Sequence, residues 1–223
     1  MRQAVAVVVL CVFVAVPVSA DITMHTANTG TGNQAWSAVG LEFTVNAGPG
    51  IRVLELGIYD SAPATTGIPD GIQGGATLSA LIFNSAQTAL VQMDFTANDG
   101  SVLDGSYLFK QLGTPLVLSP GTYTIAGYGF NVGGNNEFNC NFANSGPGPT
   151  FDGGGGLISF VQSRWTPSSS AVPPAFPTTT YGLGYPDFFD AANMKYEAVP
   201  VPAAVLLGML GLSVAGVKLR KRA

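Results

Sequence analysis

The single histidine of the chain, His25, limits the catalytic chemistry that its side chains can assemble. A Ser-His-Asp triad needs a histidine as general base, and a catalytic zinc site usually takes several imidazole or thiolate ligands. His25 stands shortly after an apolar N-terminal segment, where we expect the backbone to be frayed. Both kinds of site are therefore disfavoured, and the sequence predicts a protein that is not an enzyme.

Paired carboxylates are the second group that could do chemistry, because glycoside hydrolases use two of them on either side of the scissile bond. The candidates are Glu42, Glu55, Asp60 and Asp94. Alternation along the predicted strands places Glu42 and Asp94 on solvent-facing sides, so we interpret these residues as a solvated acidic surface. A glycoside hydrolase remains the less favoured alternative.

Four aspartates, Asp60, Asp70, Asp99 and Asp104, fall at predicted turns. Oxygen-rich corners of this kind can hold Ca²⁺ in extracellular proteins. The D-x-D-x-D-G spacing of a calcium-binding loop does not occur in the sequence. The sequence therefore predicts no cofactor and no metal ligands, with Ca²⁺ at one of these turns as the alternative.

The N-terminus has the three parts of a secretory signal peptide. Arg2 forms a minimal charged region, residues 4–16 are continuously apolar, and Val18 and Ala20 provide small residues before a cleavage site. We expect cleavage between Ala20 and Asp21. The Sec export machinery and signal peptidase are therefore expected partners.

The two cysteines have different expected fates. Cys11 lies in the apolar segment, and Leu10 precedes it where a lipoprotein signal has a small residue, so Cys11 should leave with the signal peptide. Cys140 then remains, and no neighbouring His, Lys or Arg is present in the sequence to lower the pKa of its thiol. We interpret Cys140 as a small, partly buried apolar side chain, with pairing to a second molecule as the alternative.

The exported part of the chain is strongly acidic. All 13 acidic residues lie between Asp21 and Glu197, where Arg52, Lys110, Arg164 and Lys195 are the four cations, so the net charge of this part is −9. Nucleic-acid binding requires clustered Lys or Arg to contact phosphates. Nucleic acid is therefore excluded as an expected partner.

The C-terminus combines a proline pair, an apolar segment and a basic end. Val199, Pro200, Val201 and Pro202 should be extended, because proline fixes φ and lacks an N–H donor. Residues 203–217 would form a helix of about 22 Å, which is marginal for a hydrocarbon core of ~30 Å. A cytoplasmic C-terminus is predicted by the terminal cations, which are Lys218, Arg220, Lys221 and Arg222. An amphipathic helix docked on the domain is the disfavoured alternative.

This tail resembles the PEP-CTERM sorting signals of Gram-negative bacteria, most closely their VPLPA-type variant. Val199, Pro200, Pro202 and Ala203 match the motif, and Val201 replaces the Glu of the PEP form or the Leu of VPLPA. The resemblance implies recognition by an exosortase-type membrane protease and a link to extracellular polysaccharide. It also implies an inner-membrane intermediate that ends at the cell surface or in the extracellular matrix.

Period-2 alternation predicts strands through the middle of the chain, whereas helical periodicity is absent there. Val39, Leu41, Phe43 and Val45 alternate with more polar residues, and Leu54, Leu56 and Ile58 do the same. The other candidate strands are 77–83, 89–95, 106–112, 115–118, 122–130, 157–162 and 192–198. Turn signals separate them at residues 69–71, 98–100 and 119–121. The pattern predicts an all-β fold, an antiparallel β-sandwich or jelly roll.

Residues 38–130 resemble the DUF4082-like β-sandwich domains of bacterial exported proteins. The resemblance rests on the segments Val39-Gly40-Leu41-Glu42-Phe43-Thr44-Val45, Val53-Leu54-Glu55-Leu56-Gly57-Ile58-Tyr59-Asp60 and Ala80-Leu81-Ile82-Phe83-Asn84, and on Pro115 through Gly127. Phe83-Asn84 stands where the family has a Trp-Asp pair. The resemblance implies a β-sandwich and carries no catalytic chemistry to this chain.

Two irregular stretches interrupt the strand pattern. Residues 131–156 are rich in Gly and Asn and are expected to form a long, mobile surface loop. Residues 166–186 are rich in Pro, Ser and Thr, and contain Phe176, Tyr181 and Tyr185. These three rings could stack on sugars, or they could simply cover the sheet edge.

These observations divide the chain into a signal peptide (1–20), one β-sandwich domain (21–198) and a sorting and anchor tail (199–223). The expected function is that of an exported, surface- or matrix-associated, non-enzymatic protein handled by an exosortase-type system. A secreted carbohydrate-binding, lectin-like module is the alternative.

Overall fold

The computed structural model describes residues 21–26, 32, 34–61, 70–73, 75–132, 135–141, 150–166, 172–181 and 189–200. The predicted signal peptide and the tail beyond Pro200 lie outside these ranges. Within the described ranges, no helix is long and apolar enough to cross a membrane. The described part from Asp21 to Val199 belongs to one compact unit.

All strand pairings among the described residues are antiparallel. In chain order the strands are β1 (Ile22–Thr23), β2 (His25–Thr26), β3 (Val39–Val45), β4 (Ile51–Tyr59), β5 (Leu78–Asn84), β6 (Ala89–Phe95), β7 (Val102–Asp104), β8 (Tyr107–Leu118), β9 (Gly121–Tyr128), β10 (Cys140–Asn141), β11 (Thr150–Phe151), β12 (Ile158–Trp165), β13 (Thr179–Tyr181), β14 (Phe189–Asp190) and β15 (Ala192–Ala198).

Two larger sheets carry most of these strands. One has five strands in the order β1-β15-β4-β8-β7, and the other has six in the order β13-β12-β3-β9-β5-β6. Two short pairs, β10-β14 and β11-β2, join segments outside the large sheets. The all-β, antiparallel class predicted by the alternation is confirmed.

Most predicted strands form where the alternation places them. The segments predicted at residues 89–95 and 192–198 coincide with β6 and β15. Residues 106–112 and 115–118, predicted as two strands, form the single strand β8 instead. Its register on β4 shifts between Gln111 and Leu116, and Pro115, which has no N–H to donate, lies in the shifted part.

One hydrophobic core receives side chains from both large sheets. It includes Leu41 and Phe43 of β3, Leu56 and Ile58 of β4, and Met194 of β15, all fully buried. Burying a side chain of this size stabilises the fold by about 1.5–3 kcal/mol relative to leaving it exposed. The alternating apolar residues therefore supply the main stabilising term of the domain.

A second, smaller cluster covers the outer face of the six-stranded sheet, so β5 is buried on both faces. Leu81 and Phe83 of β5 pack there with Tyr128 of β9. Phe176 contacts Phe83 edge to face, with ring centroids 5.3 Å apart, and Tyr128 Oη donates a hydrogen bond of 2.7 Å to Ala175 O. The Pro-rich segment thus covers this sheet.

The strands define two opposite ends of the domain. β4 begins and β15 finishes at one end, where Ile51 pairs with Ala198, and we name this the tail end. At the other end β4 finishes at Tyr59, beside the beginning of β15 and of β8. We name the latter the loop end, and the functional groups described below lie there.

Two predictions about exposure are wrong. The stretch 131–156, expected to be a mobile surface loop, contains the strands β10 and β11 and the buried residues Glu137, Asn139 and Cys140. Asn139 exchanges backbone hydrogen bonds with Gln34, which draws this segment against the domain. Glu42, expected to face solvent, is largely buried because it bonds to Arg164 and Gln162, whereas Asp94 is exposed as predicted.

The close approach of β3 to β9 makes a specific prediction at Gly40. A Cβ atom there would collide with the backbone carbonyl oxygen of Ile125, which cannot move without breaking the sheet. We expect Gly40→Ala to lower the free energy of unfolding by about 2–3 kcal/mol, measured by urea denaturation. Gly113→Ala is the control, since nothing lies within 4 Å of its Cβ position. Equal stability of both variants would contradict the described β3–β9 packing.

Candidate functional site

His25 does not lie in a frayed terminus, as the sequence suggested, because it belongs to β2 and is fully buried. The side chain of Asn193 fixes this segment: its Nδ2 donates to His25 O at 2.7 Å, while its Oδ1 accepts from the Met194 amide at 2.8 Å. The contact is non-local, so the sequence near His25 contains no sign of it.

The imidazole of His25 meets two polar side chains at the loop end. Tyr107 Oη donates a 2.5 Å hydrogen bond to Asp190 Oδ1, and His25 Nδ1 lies 3.3 Å from the same oxygen. His25 Nε2 lies 3.2 Å from Ala192 O, which can only accept. We name His25, Tyr107 and Asp190 the histidine cluster.

Burial dominates the electrostatics of the histidine cluster. It raises the pKa of Asp190, although hydrogen bonds from His25 and Tyr107 act in the opposite direction. It also raises the pKa of Tyr107 well above its usual value, and the negative charge of Asp190 adds to this. Cys140 lies directly across from Asp190 in the β10–β14 pair and is likewise fully buried.

The histidine cluster has the residue types of a catalytic site but not its accessibility. All three side chains, and Cys140 beside them, are at most 1 % exposed. A nucleophile or general base must reach its substrate within hydrogen-bonding distance. The cluster therefore acts as a polar tie that joins β2, β8 and β14 inside the fold.

Removing the Tyr107 hydroxyl should test this structural role. Tyr107→Phe leaves the buried Asp190 carboxyl without its shortest hydrogen bond, so we expect a loss of about 1–3 kcal/mol in the free energy of unfolding. Tyr123→Phe is a matched control, since Tyr123 Oη bonds only to the exposed Ser119 O, and we expect it to change stability by less than about 0.5 kcal/mol. Indistinguishable urea midpoints for the two variants would contradict the structural role of the histidine cluster.

A second polar group at the loop end consists of Asp60 and Glu137, which we name the carboxylate pair. Asp60 directly follows β4, and its Oδ2 accepts a 2.9 Å hydrogen bond from the Gly71 amide. Glu137 Oε1 accepts from the Gln73 amide at 2.7 Å, and Oε2 accepts from Ser61 Oγ at 3.2 Å. Both carboxylates are 1 % exposed and hold the segment 70–73 between them.

The carboxylate pair resists ionisation. Burial raises the pKa of Asp60 to about 6, and the charge of Asp70 adds to the rise while the Gly71 amide opposes it. Burial raises the pKa of Glu137 to about 7, opposed by the Gln73 amide and reinforced by the charges of Asp60 and Asp70. Near neutral pH, the folded protein therefore holds protons that these groups would release in the unfolded chain.

The raised pKa values predict a pH dependence of stability. Unfolded carboxyl groups titrate near pH 4, so the pair contributes stability below that pH, and this contribution is lost as pH rises through about 6 and 7. In buffer with EDTA, we expect this part of the free energy of unfolding to fall by a few kcal/mol between pH 4 and 8.

Urea denaturation across this pH range checks the prediction. The double variant Asp60→Asn, Glu137→Gln should have a flatter profile, because neutral amides keep the shape of the side chains and do not titrate. Asp94→Asn, at an exposed carboxylate, should keep the parent slope. A double variant with the parent slope would show that other groups cause the dependence.

The predicted sorting and cleavage residues lie at or beyond the edges of the described chain. Val199 is half-buried and Pro200 is exposed, immediately after β15. Asp21 is exposed and directly precedes β1. The remaining predicted cleavage, sorting and anchor residues lie outside the described residues, namely Ala20, Val201, Pro202, Ala203, Lys218, Arg220, Lys221 and Arg222.

The three aromatic residues considered for glycan contact have different surroundings. Phe176 packs on Phe83, and the guanidinium of Arg164 lies 5.3 Å from the centroid of its ring. The backbone of Tyr181 pairs with Ser163 in the β12–β13 ladder, and Tyr185 lies outside the described residues. The ring of Phe176 therefore already has partners within the domain.

The carboxylates considered for glycoside hydrolysis belong to separate elements. Glu42 of β3 pairs with Arg164, whereas Glu55 of β4 lies 3.5 Å from Lys195 Nζ, on the other sheet. Glu55 also lines a half-open groove of about 370 Å³ beside β7 and β8. The remaining residues of the groove are Gly100, Val102, Phe109, Lys110 and Gln111.

Glu137 is a candidate site residue that is absent from the predictions made from the sequence. It lies in the Asn-rich stretch that was interpreted as a loop. A signal was present, because Glu137, Asn139 and Asn141 alternate with Phe138 and Cys140 at period 2, as in a strand.

No family model, no curated protein and no solved structure matches this chain. The resemblance of the tail to PEP-CTERM signals, and of residues 38–130 to DUF4082-like domains, therefore stays a prediction.

Proposed function

We propose that this protein is an exported, non-enzymatic β-sandwich domain that an exosortase-type system places at the cell surface or in an extracellular polysaccharide matrix. The observation that carries the proposal is the position of Asp21 and Val199, at the two ends of the described domain. Asp21, which follows the predicted cleavage site, and Val199, which begins the predicted sorting motif, both lie near the tail end of the domain.

The pairing of β1 with β15 brings the first and last strands of the domain together. Ile22 pairs with Tyr196, so the preceding Asp21 lies next to Glu197, near the tail end. The Val199 amide donates a 3.2 Å hydrogen bond to Gly50 O before the chain continues into the predicted tail. A domain with both ends on one side can fold while hydrophobic segments at both termini are still in the membrane.

The strand before the tail is well suited to hold an anchored domain. β15 pairs with β1 on one side and β4 on the other, and most of its side chains are buried. Tyr196 Oη donates to Asp152 O at 2.8 Å, and Glu197 accepts hydrogen bonds from Arg52. Tension from the tail is therefore distributed over two strand ladders, while the exposed Pro200 stays accessible to a protease.

The finer fold class and the non-enzymatic role belong to the same proposal. We interpret the two large sheets around one core as a β-sandwich of the jelly-roll kind. The histidine cluster supports a non-enzymatic role, because the groups best suited to acid-base catalysis are buried as structural contacts. The acidic net charge of the exported part suits a soluble domain in a hydrated matrix.

The intact mass of the native protein tests the processing. We expect a species that begins at Asp21 and ends near Pro200 to Pro202 in the culture medium or matrix fraction, with or without added glycan. This result follows from cleavage by signal peptidase at one terminus and by a sorting protease at the other. Mass spectrometry of separate envelope and matrix fractions measures both ends at once.

A matched variant separates sorting from export. Pro200→Ala with Pro202→Ala should leave the mature N-terminus at Asp21 but cause a form that retains Lys218 to Ala223 to accumulate in the envelope. A parent protein that keeps those residues in the envelope would instead be a permanent membrane protein. The exosortase part of the proposal would then be withdrawn.

A further inference from the structure

Among the residues that the structure describes, the carboxylate pair has no cationic partner, although both of its members are buried. Each of the four Lys and Arg residues in the exported part is paired with a carboxylate other than Asp60 and Glu137. Arg52 bonds to Glu197, Lys110 to Asp99, Arg164 to Glu42, and Lys195 to Glu55 and Asp104. His25 lies against Asp190. Within the described part of the chain no cation is left for Asp60 and Glu137, so protons or a cation from solution must balance their negative charge.

Unsatisfied oxygen atoms at the loop end favour a cation. Asp60 Oδ1 is buried and has no hydrogen-bond partner among the residues that the structure describes. Asn139 Oδ1, two residues after Glu137, is also buried without a hydrogen-bond partner among the described residues. The orientation of this amide is set by the 2.5 Å hydrogen bond that Asn139 Nδ2 donates to Trp36 O. Buried polar atoms normally bond to protein, water or an ion, so these two orphaned acceptors favour an electropositive partner such as a cation.

We propose that Asp60 and Glu137 bind one Ca²⁺ ion at the loop end of the domain, with Asp60 Oδ1 as a direct ligand. Calcium takes carboxylate, amide, carbonyl and water oxygens in flexible geometry, whereas Mg²⁺ requires near-ideal octahedral geometry and gives up its water ligands reluctantly. A zinc site would use Cys or His ligands, and the interactions described for this pair involve none.

The composition of the site sets its affinity. Among the described residues, no group of three or more His, Cys, Asp or Glu side chains is arranged to hold a metal. Two carboxylates supplemented by neutral oxygens give a weak site, so we expect a dissociation constant of about 0.1–1 mM, as in extracellular calcium modules. Such an affinity matches the millimolar Ca²⁺ outside cells, where the exported domain would reside.

Bound Ca²⁺ would have a defined structural effect. Asp60 and Glu137 already hold the segment 70–73 through the amides of Gly71 and Gln73. A cation between the carboxylates would replace protons as their counter-charge and join the chain after β4 to the chain after β9. The loop end would then be fixed in its folded arrangement at neutral pH.

Calcium titration of the full chain, purified in mild detergent and freed of metal with EDTA, tests the proposal at pH 7.5. Isothermal titration calorimetry should give one site per chain with the affinity above. At 5 mM CaCl₂, the Tm should rise by about 3–6 °C. MgCl₂ should bind at least about tenfold more weakly. Terbium provides a second probe, since tyrosine or tryptophan near the site should sensitise its luminescence and Ca²⁺ should quench it by competition.

Three variants locate the site. Asp60→Asn and Glu137→Gln should each weaken Ca²⁺ binding at least about tenfold, and both should fold in EDTA because a neutral amide removes a buried charge without changing shape. Asp94→Asn should bind like the parent. No saturable binding by the parent up to 10 mM CaCl₂ would overturn the proposal, as would unchanged affinity in both buried-site variants. Neither result depends on whether the tail is cleaved, so the proposed function is tested separately.

Discussion

The pairing of β15 with β1 and β4 is the constraint on which the rest of the structure depends. It places the last residues of the domain inside a sheet, and it brings the first residues of the exported chain alongside them. The same pairing buries Asn193, which holds His25, and it positions Asp190 immediately before the strand. Both the tail end and the histidine cluster therefore follow from one non-local ladder.

The scarcity of cations is a second constraint, and it connects the two proposals. With four Lys and Arg residues in an exported part that has 13 acidic residues, most carboxylates cannot be paired within the chain. The cations lie on the sheets, where they pair with Glu42, Glu55, Asp99, Asp104 and Glu197. The loop end is left acidic. An extracellular medium that contains Ca²⁺ can compensate for this charge, whereas the chain alone compensates with protons.

The sequence predicted the strands well because alternation is a local property. β6 and β15 match their predicted bounds, and β3 matches the alternation from Val39 to Val45. Residues 106–112 and 115–118 are predicted as two strands, whereas pairing with β4 on both sides of Gly113 and Pro115 makes them the single strand β8. The candidate site was less predictable: Asp60 was recognised as a turn carboxylate, whereas its partner Glu137 was assigned to a mobile loop.

By itself, the sequence determined the all-β class, the acid excess and the composition of both chain ends, because these properties depend only on residue types and short spacings. The tertiary structure alone decided that His25 is buried against Tyr107 and Asp190, that Glu137 approaches Ser61, and that Asn139 pairs with Gln34. Each of these contacts joins residues far apart in the chain. Such contacts arise from strand order and register, which neighbouring residues do not encode.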